Sequence, residues 1–192
     1  MSKLLKIDFD KASSDTSYIS LINTYNKRYD IPREHLEILL NTNDLVGTIK
    51  IDLQYLKNIK NQTKAICLAA VKQDGMALQY VKNQTDAICL EAVKQNGRAL
   101  QFVKNQTDAI CLAAVKQDGY ALEHVINQTE AICLAAIKQN CFAFEYVKNQ
   151  TEAICFAAVK QDGIALEYVK NQTKALCMEA VKQTGMALQF VR

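Results

Sequence analysis

A phrase of 22 residues is repeated six times without a gap from Asn61 to Arg192, and it constrains the fold more than any other feature of the chain. Each copy opens with Asn-Gln-Thr, and the copies start at residues 61, 83, 105, 127, 149 and 171. Self-similarity at a fixed short period is typical of structural units that stack and contact mainly their neighbours. The sequence therefore predicts an array of stacked units over residues 61–192, preceded by a separate leader over residues 1–60.

The first copy predicts two short helices. Thr63 is placed to cap a helix whose apolar residues recur at helical spacing, and Gly75 is predicted to end that helix in the left-handed conformation. A second helix is predicted from about residue 76 to residue 82. Helices this short do not persist alone in water, so they must bury their apolar faces against neighbouring units. We therefore predict an all-α fold, an α-solenoid of six two-helix repeats.

Leucine-rich repeats have an overlapping period and are the main alternative to this interpretation. Their signature Leu-x-x-Leu-x-Leu-x-x-Asn is absent, and the segment Ala-Ile-Cys-Leu-Ala-Ala-Val does not alternate as a strand would. The helical solenoid is therefore favoured. The fourth copy departs from the pattern because Cys141 stands where the other copies have glycine, which predicts a locally distorted turn there.

Residues 1–60 do not follow the repeat, and we predict that they form a helical capping segment. One helix is predicted from Ser17 to Lys27, and another from Pro32 to about Leu40. A degenerate copy of the repeat then begins near Asn41, in which residues 46–51 are either a short strand or a divergent first helix. Repeat arrays need atypical polar end units, so this leader is interpreted as an N-terminal cap.

Charge and hydropathy exclude several classes of protein. The array has 14 basic and 12 acidic residues and the leader has 9 and 8, so neither part has the basic excess of a nucleic-acid module. No apolar stretch has the length of a signal peptide core or of a membrane span. We therefore expect a soluble, cytoplasmic protein with no membrane partner, whose Asn-Gln-Thr triplets carry no glycan.

Seven cysteines suggest a metal or disulfide framework until their positions are compared. Six occupy the same place in every copy, namely Cys67, Cys89, Cys111, Cys133, Cys155 and Cys177. They lack the close pairing of zinc ligands, and His35 and His124 lie in unrelated contexts, so the cysteines are predicted to pack as small apolar residues. No nucleophile is paired with a base in the sequence, and we expect no metal, no cofactor and no enzymatic activity.

Candidate partner-binding residues come from the positions that vary between copies, which are the equivalents of residues 64, 69, 74, 76, 79 and 80 and are predicted to face outward. One mostly apolar column is the candidate partner-binding site: Met76, Arg98, Tyr120, Phe142, Ile164 and Met186. Packing between successive units is an equally open role for this column. A second column is predicted to lie in the core or at its edge: Tyr80, Phe102, His124, Tyr146, Tyr168 and Phe190.

Lysine also recurs once per copy, in the row Lys72, Lys94, Lys116, Lys138, Lys160 and Lys182. Such a row could follow a phosphate backbone. Each lysine is also suited to a helix C-terminus, and acids such as Glu123, Glu145 and Glu167 offset the charge, so a solvated structural role is preferred. Binding of RNA remains the alternative function.

The phrase Ala-Val-Lys-Gln-Asp/Asn-Gly-x-Ala-Leu-Gln/Glu-Tyr/Phe-Val, found throughout residues 61–192, resembles a repeat family of unknown function. That family is expanded in giant DNA viruses of amoebae and occurs in some amoeba-associated bacteria. The resemblance implies a helical repeat architecture and carries no catalytic residues. A viral source would place the chain in the host cytoplasm or in the virion.

We therefore predict a noncatalytic repeat scaffold that mediates protein–protein interaction with an unidentified protein, such as a host protein. Nucleic acid is not the expected partner. Self-association through the C-terminal repeat is also expected, because no atypical unit follows the sixth copy at Arg192.

Overall fold

The structure is a computed structural model, and it describes residues 5–8, 18–23, 28–32, 49–50, 56 and 62–192. Two compact units divide the chain, Met1–Gln95 and Asn96–Arg192. The division falls inside the second repeat, so each unit contains part of the array. The boundary between residues 60 and 61 stays a prediction.

A four-stranded sheet lies in the leader, with strands in the order β3-β2-β1-β4. The strands are β1 Leu5–Asp8, β2 Tyr18–Asn23, β3 Arg28–Pro32 and β4 Ile49–Lys50. β2 pairs antiparallel with β1 and with β3, and β4 pairs parallel with β1. The two interior strands, β2 and β1, therefore each have a hydrogen-bonded partner on both sides.

The helix predicted from Ser17 to Lys27 is wrong, because this stretch contains β2. Its Tyr-Ile-Ser-Leu-Ile-Asn segment is rich in aromatic and branched residues, and two flanking strands give it partners that a local helical pattern cannot reveal. Pro32 is the last residue of β3, and residues 33–40, over which the second helix of the leader is predicted, lie outside the described residues. Of the two alternatives for residues 46–51, the strand is correct at Ile49–Lys50. A capping role for residues 1–60 stays a prediction.

The all-α, solenoid-type array of six two-helix repeats is confirmed over residues 62–192. Every repeat contains a ten-residue α-helix followed by a six-residue 3-10 helix. The α-helices are α1 Lys64–Gln73, α2 Asp86–Gln95, α3 Asp108–Gln117, α4 Glu130–Gln139, α5 Glu152–Gln161 and α6 Lys174–Gln183. The 3-10 helices are η1 Gly75–Tyr80, η2 Gly97–Phe102, η3 Gly119–His124, η4 Cys141–Tyr146, η5 Gly163–Tyr168 and η6 Gly185–Phe190. The second helix is thus tighter and shorter than the predicted stretch from 76 to 82.

The predicted threonine cap is confirmed at Thr63, and equivalent caps are made by Thr107, Thr129, Thr151 and Thr173. In the third repeat Thr107 is extended, with φ −100° and ψ 157°, and its Oγ1 accepts a hydrogen bond from the amide of Ile110 at 3.4 Å. Asp108 occupies the first turn and Lys116 the last, which suits the two ends of the helix dipole.

The α-helices end through an extended residue and not through a left-handed glycine. In the third repeat Asp118 has φ −143° and ψ 112°; its amide donates to Ala114 O at 2.9 Å, and its Oδ1 accepts from the amide of Tyr120 at 3.0 Å. One residue therefore closes α3 and caps η3. The predicted left-handed helix end at Gly75 is wrong, because the extended Asp74 ends α1 and Gly75 begins η1. The equivalent Gly97, Gly119, Gly163 and Gly185 also have no φ in the left-handed region. Asp118 belongs to the variable column of residue 74, which was predicted to face outward. The residues of this column are helix caps.

Glycine is required here because the next repeat approaches so closely. A Cβ on Gly97 would lie 2.6 Å from Ala114 O, and a Cβ on Gly119 would lie 2.8 Å from Ala136 O. At Cys141 the predicted distortion is not seen in the cap, since Asn140 has φ −151° and ψ 117° and η4 starts at the usual position. The extra side chain is accommodated at the contact instead, because η4 packs less closely on α5 than η3 packs on α4.

The apolar core lies between the α-helices and 3-10 helices of consecutive repeats. In the third repeat Ile110, Ala114, Val115 and Leu122 are completely buried. The fourth repeat replaces the leucine with Phe144, which is also completely buried. Among the described residues, no helix is long and apolar enough to cross a membrane.

The glutamine of the Asn-Gln-Thr triplet connects backbone groups that are distant in the sequence, and in the fourth repeat it also connects two neighbouring repeats. Gln128 Nε2 donates to Leu122 O at 3.2 Å and to Tyr146 O at 2.9 Å, while its Oε1 accepts from the amide of Lys148 at 2.9 Å. Gln84 and Gln172 make the equivalent bond to the preceding repeat, at the carbonyls of Leu78 and Leu166. Equivalent bonds to the 3-10 helix of the same repeat and the residues after it are made by Gln62, Gln106, Gln150 and Gln172. The triplet thus provides a turn, a helix cap and, at Gln128, a hydrogen-bonded link between two neighbouring repeats.

Candidate partner-binding surface

The 3-10 helices present three columns of side chains at their second, fifth and sixth positions. Because a 3-10 helix has three residues per turn, the second and fifth positions lie above one another and the sixth lies beside them. The second positions form the predicted partner-binding column. The fifth positions are all exposed, and the sixth positions are all half-buried: Tyr80, Phe102, His124, Tyr146, Tyr168 and Phe190. The prediction that the sixth positions lie at the edge of the core agrees with this burial.

Burial differs along the predicted partner-binding column. Phe142 is 49% exposed, Met186 is 63% exposed and Arg98 is also exposed. Met76, Tyr120 and Ile164 are half-buried. Five of these residues belong to the unit Asn96–Arg192, and Met76 belongs to the other unit.

Tyr120 shows how the column contributes to packing between repeats. Its ring meets the ring of Tyr146 edge to face, with centroids 6.1 Å apart and an interplanar angle of 81°. The second position of the third repeat therefore contacts the sixth position of the fourth repeat. Both tyrosines therefore pack between repeats and also keep part of their surface exposed to solvent.

Glutamate side chains influence the phenol groups of Tyr146 and Tyr168. Partial burial raises the pKa of Tyr146, and the negative charges of Glu145 and Glu123 raise it further. Glu167 is the main cause of the raised pKa of Tyr168, followed by partial burial and by Glu145. These charges can act on the phenols only because the fifth and sixth columns lie side by side on one face.

We name this surface the tyrosine–glutamate face, formed by Tyr120, Glu123, Glu145, Tyr146, Glu167 and Tyr168. Sequence reasoning missed its carboxylates as a site, treating them only as charges that offset the lysines. A signal was present, because the fifth column contains glutamine in repeats one, two and six and glutamate in repeats three, four and five.

Arg98 has a different role from the other members of its column. Its Nε lies 3.1 Å from Asp118 Oδ2, and the two side chains are 59% and 25% exposed. This surface ion pair joins the second and third repeats within the unit Asn96–Arg192, and a contact of this kind contributes little stability.

The lysine row of the α-helices is exposed throughout, at Lys72, Lys94, Lys116, Lys138, Lys160 and Lys182. Each lies in the last turn of its helix, as predicted from the sequence. Lys160 also lies over the ring of Phe156, at 5.9 Å from its centroid. A lysine outside this row, Lys148, donates to the carbonyls of Val125 at 2.8 Å and Ile126 at 3.2 Å, so it acts as a cap of the preceding repeat.

A shallow cavity of about 250 Å³ lies between the fifth and sixth repeats. Gln150, Glu152, Cys155, Asn171, Thr173 and Leu176 line it. Most of its polar chemistry is already used in the fold, because Gln150 bonds Tyr168 O and the amide of Lys170, and Thr173 caps α6. The tyrosine–glutamate face is therefore the stronger candidate for a site.

The seven cysteines are free. The predicted packing role is confirmed at the buried Cys67, Cys89, Cys111, Cys133 and Cys155, whereas Cys177 is half-buried. Burial raises the pKa of the Cys111 thiol, whose Sγ lies 3.6 Å from Gln106 Oε1. Cys141 is half-buried, with its Sγ 4.0 Å from Asp162 Oδ2. In the part of the chain that the structure describes, no three His, Cys, Asp or Glu side chains are grouped as metal ligands.

Comparison with known families gives one match. A model described as "Domain of unknown function (DUF4116)" matches residues 63–107, 88–130, 110–152 and 130–174, which together exceed half of the chain. Neither a curated protein nor a solved structure matches the chain.

Proposed function

The chain belongs to the family described as Domain of unknown function (DUF4116), and we propose that it is a noncatalytic repeat scaffold that binds another protein through the outward columns of its 3-10 helices. A host protein is the proposed partner. The host cytoplasm or the virion is the proposed location, which rests on the viral resemblance of the repeat and agrees with a chain whose thiols are free.

One observation supports this proposal more than any other. Phe142 is 49% exposed on a face that also displays the partly exposed rings of Tyr120, Tyr146 and Tyr168. Aromatic side chains with an apolar body and a polar edge are enriched at protein interfaces, where they supply much of the binding energy. The backbone beneath them is held by helix caps and by the glutamine cross-links, so the face is preorganised before a partner arrives.

The experiment compares three forms of the immobilised protein in a pull-down from the lysate of an amoebal host, with mass spectrometry of the captured proteins. The forms are the wild type, Phe142→Ser, and a control Lys138→Ser that changes an exposed residue on the α-helix of the same repeat. We expect a specific protein to be recovered by the wild type and the control and to be depleted at least about fivefold by Phe142→Ser.

Two outcomes contradict this proposal. Equal capture by all three forms would exclude the face around Phe142. Recovery of RNA alone, with affinity that falls steeply between low and moderate salt, would support the nucleic-acid alternative, because release of counterions from phosphates gives that dependence.

Self-association through the sixth repeat is a second proposal, supported by the burial of one leucine position. Leu166 is completely buried by the repeat that follows it, whereas its equivalent Leu188 is 66% exposed beside Met186 and Val191, which are 63% and 41% exposed. A second copy could cover these side chains. Sedimentation should show a concentration-dependent dimer that Leu188→Glu abolishes, and a monomer at high protein concentration contradicts the proposal.

A further inference from the structure

The tyrosine–glutamate face combines two chemistries that point to one class of partner. Tyr146 and Tyr168 present partly exposed rings, and aromatic faces attract guanidinium and ammonium groups. Glu123, Glu145 and Glu167 are exposed at the fifth positions of η3, η4 and η5, next to the sixth positions that include Tyr146 and Tyr168, so carboxylates and rings lie side by side on the same face. An arginine can stack on a ring while it pairs with a carboxylate, because its planar guanidinium has a face and an edge.

The face is also unlike the corresponding surfaces of the other repeats. Repeats one, two and six carry the neutral Gln79, Gln101 and Gln189 at the fifth position. Three consecutive repeats therefore hold one extra negative charge each on the outward side of the array. Since opposite charges steer and align partners, a cationic segment is the chemically complementary occupant.

The repeat spacing limits the shape of that segment. Packed helices of neighbouring repeats lie about 8–10 Å apart. In a β-strand, side chains three residues apart point to opposite sides, whereas a polyproline-type chain advances about 3.1 Å per residue with three residues per turn, so that every third side chain faces the same way. Three residues of the partner, at about 9–10 Å, thus match one repeat of this protein.

We propose that the tyrosine–glutamate face binds a protein segment in the polyproline-type conformation with arginine or lysine at every third residue, one cation for each of repeats three, four and five. This inference rests on the proposed function as a protein-binding scaffold and names the chemistry of its partner. Arginine is preferred to lysine, because only arginine offers both the stacking plane and the two-point contact with a carboxylate.

Fluorescence anisotropy with two labelled nine-residue peptides tests the proposal. One has the sequence Arg-Ala-Ser repeated three times, and the other has the same composition with its three arginines adjacent at the N-terminus. We expect the spaced peptide to bind at least about fivefold more tightly than its isomer at low salt, because only the spaced peptide reaches all three repeats at once. Equal affinities of the two peptides, or no binding by either, overturn the proposal.

Matched variants locate the binding site. The triple variant Glu123→Gln, Glu145→Gln and Glu167→Gln removes three charges from the face. The control Asp108→Asn, Glu130→Gln and Glu152→Gln removes three charges from the same repeats, at the exposed first turns of α3, α4 and α5. We expect about a tenfold or greater loss of peptide affinity in the first variant and less than about twofold in the control.

Far-UV circular dichroism establishes that both variants are folded, and equal losses of affinity in the two variants also overturn the proposal. The inference can fail separately from the proposed function. If the peptides do not bind but capture of a host protein still depends on Phe142, the scaffold function stands and the cationic partner is wrong. If the spaced peptide binds but Phe142→Ser leaves capture unchanged, the proposed function is the one that fails.

Discussion

Gln128→Ala should destabilise the array far more than the same substitution at an exposed glutamine. Three hydrogen bonds disappear, those from Gln128 Nε2 to the carbonyls of Leu122 and Tyr146 and that from the amide of Lys148 to Gln128 Oε1. Each contributes about 1 kcal/mol net, so the upper estimate is about 3 kcal/mol. The carbonyl of Leu122 keeps its bond from the amide of Val125 at 3.1 Å, which lowers the expected cost. We therefore expect a loss of about 2–3 kcal/mol in the free energy of unfolding.

Urea unfolding followed by circular dichroism at 222 nm measures this loss, which corresponds to a fall in Tm of about 4–12 °C for a chain of this size. Gln101→Ala is the matched control, because its exposed amide makes a local bond to Arg98 O at 3.1 Å and connects no neighbouring repeat. The control should cost less than about 0.5 kcal/mol. If the two variants unfold at the same urea concentration, the glutamine cross-link is not a significant stabilising interaction and the reasoning fails.

Three other predictions follow from burial and close contact. Gly119→Ala should lower the free energy of unfolding by about 1–3 kcal/mol in urea titrations, because the new Cβ would meet the next repeat. Gly185 has open space around it, so Gly185→Ala should be neutral or slightly stabilising. Equal effects of the two substitutions contradict this account. Burial raises the pKa of the Cys111 thiol, so the unfolded chain loses this proton first and stability should fall as pH rises above about 8.5. Cys111→Ala should make that fall shallower in urea titrations, and an unchanged profile contradicts the assignment. A thiol reagent should label the half-buried Cys141 and Cys177 before Cys111, as mapped by mass spectrometry, and equal labelling rates would show that the repeats open readily.

Several local features of the repeat could be predicted from the sequence because they depend on neighbouring residues. Thr107 caps α3 and Lys116 lies in its last turn, since both use backbone groups within the same ten-residue helix. The apolar periodicity of Ile110, Ala114 and Val115 identified the buried side of that helix. These features are repeated in every copy, which made the pattern easy to recognise.

The leader and the site show where local reasoning ends. β2 was predicted as a helix because its partners β1 and β3 lie outside residues 17–27, and the spacing of apolar residues within so short a segment does not show that pairing. The column of Met76 was correctly identified as variable, but its partition between packing and exposure depends on contacts such as that of Tyr120 with Tyr146. The carboxylates beside those rings were missed as a site because a charge pattern gives no distance to an aromatic ring.

The sequence by itself determined the six-unit helical array, its threonine caps, its buried cysteines and the positions at which the copies differ. Tertiary structure decided that glycine is needed for the approach of the next repeat, that Gln128 bonds to Leu122 of the preceding repeat and to the far end of its own, and that Tyr146 and Glu145 share an outward face. The physical reason is range. Helix periodicity and capping act within a few residues, whereas the contacts of Gly119 with the next repeat and the bonds of Gln128 to Tyr146 and Lys148 join atoms 17 to 21 residues apart, and only tertiary folding brings those atoms together.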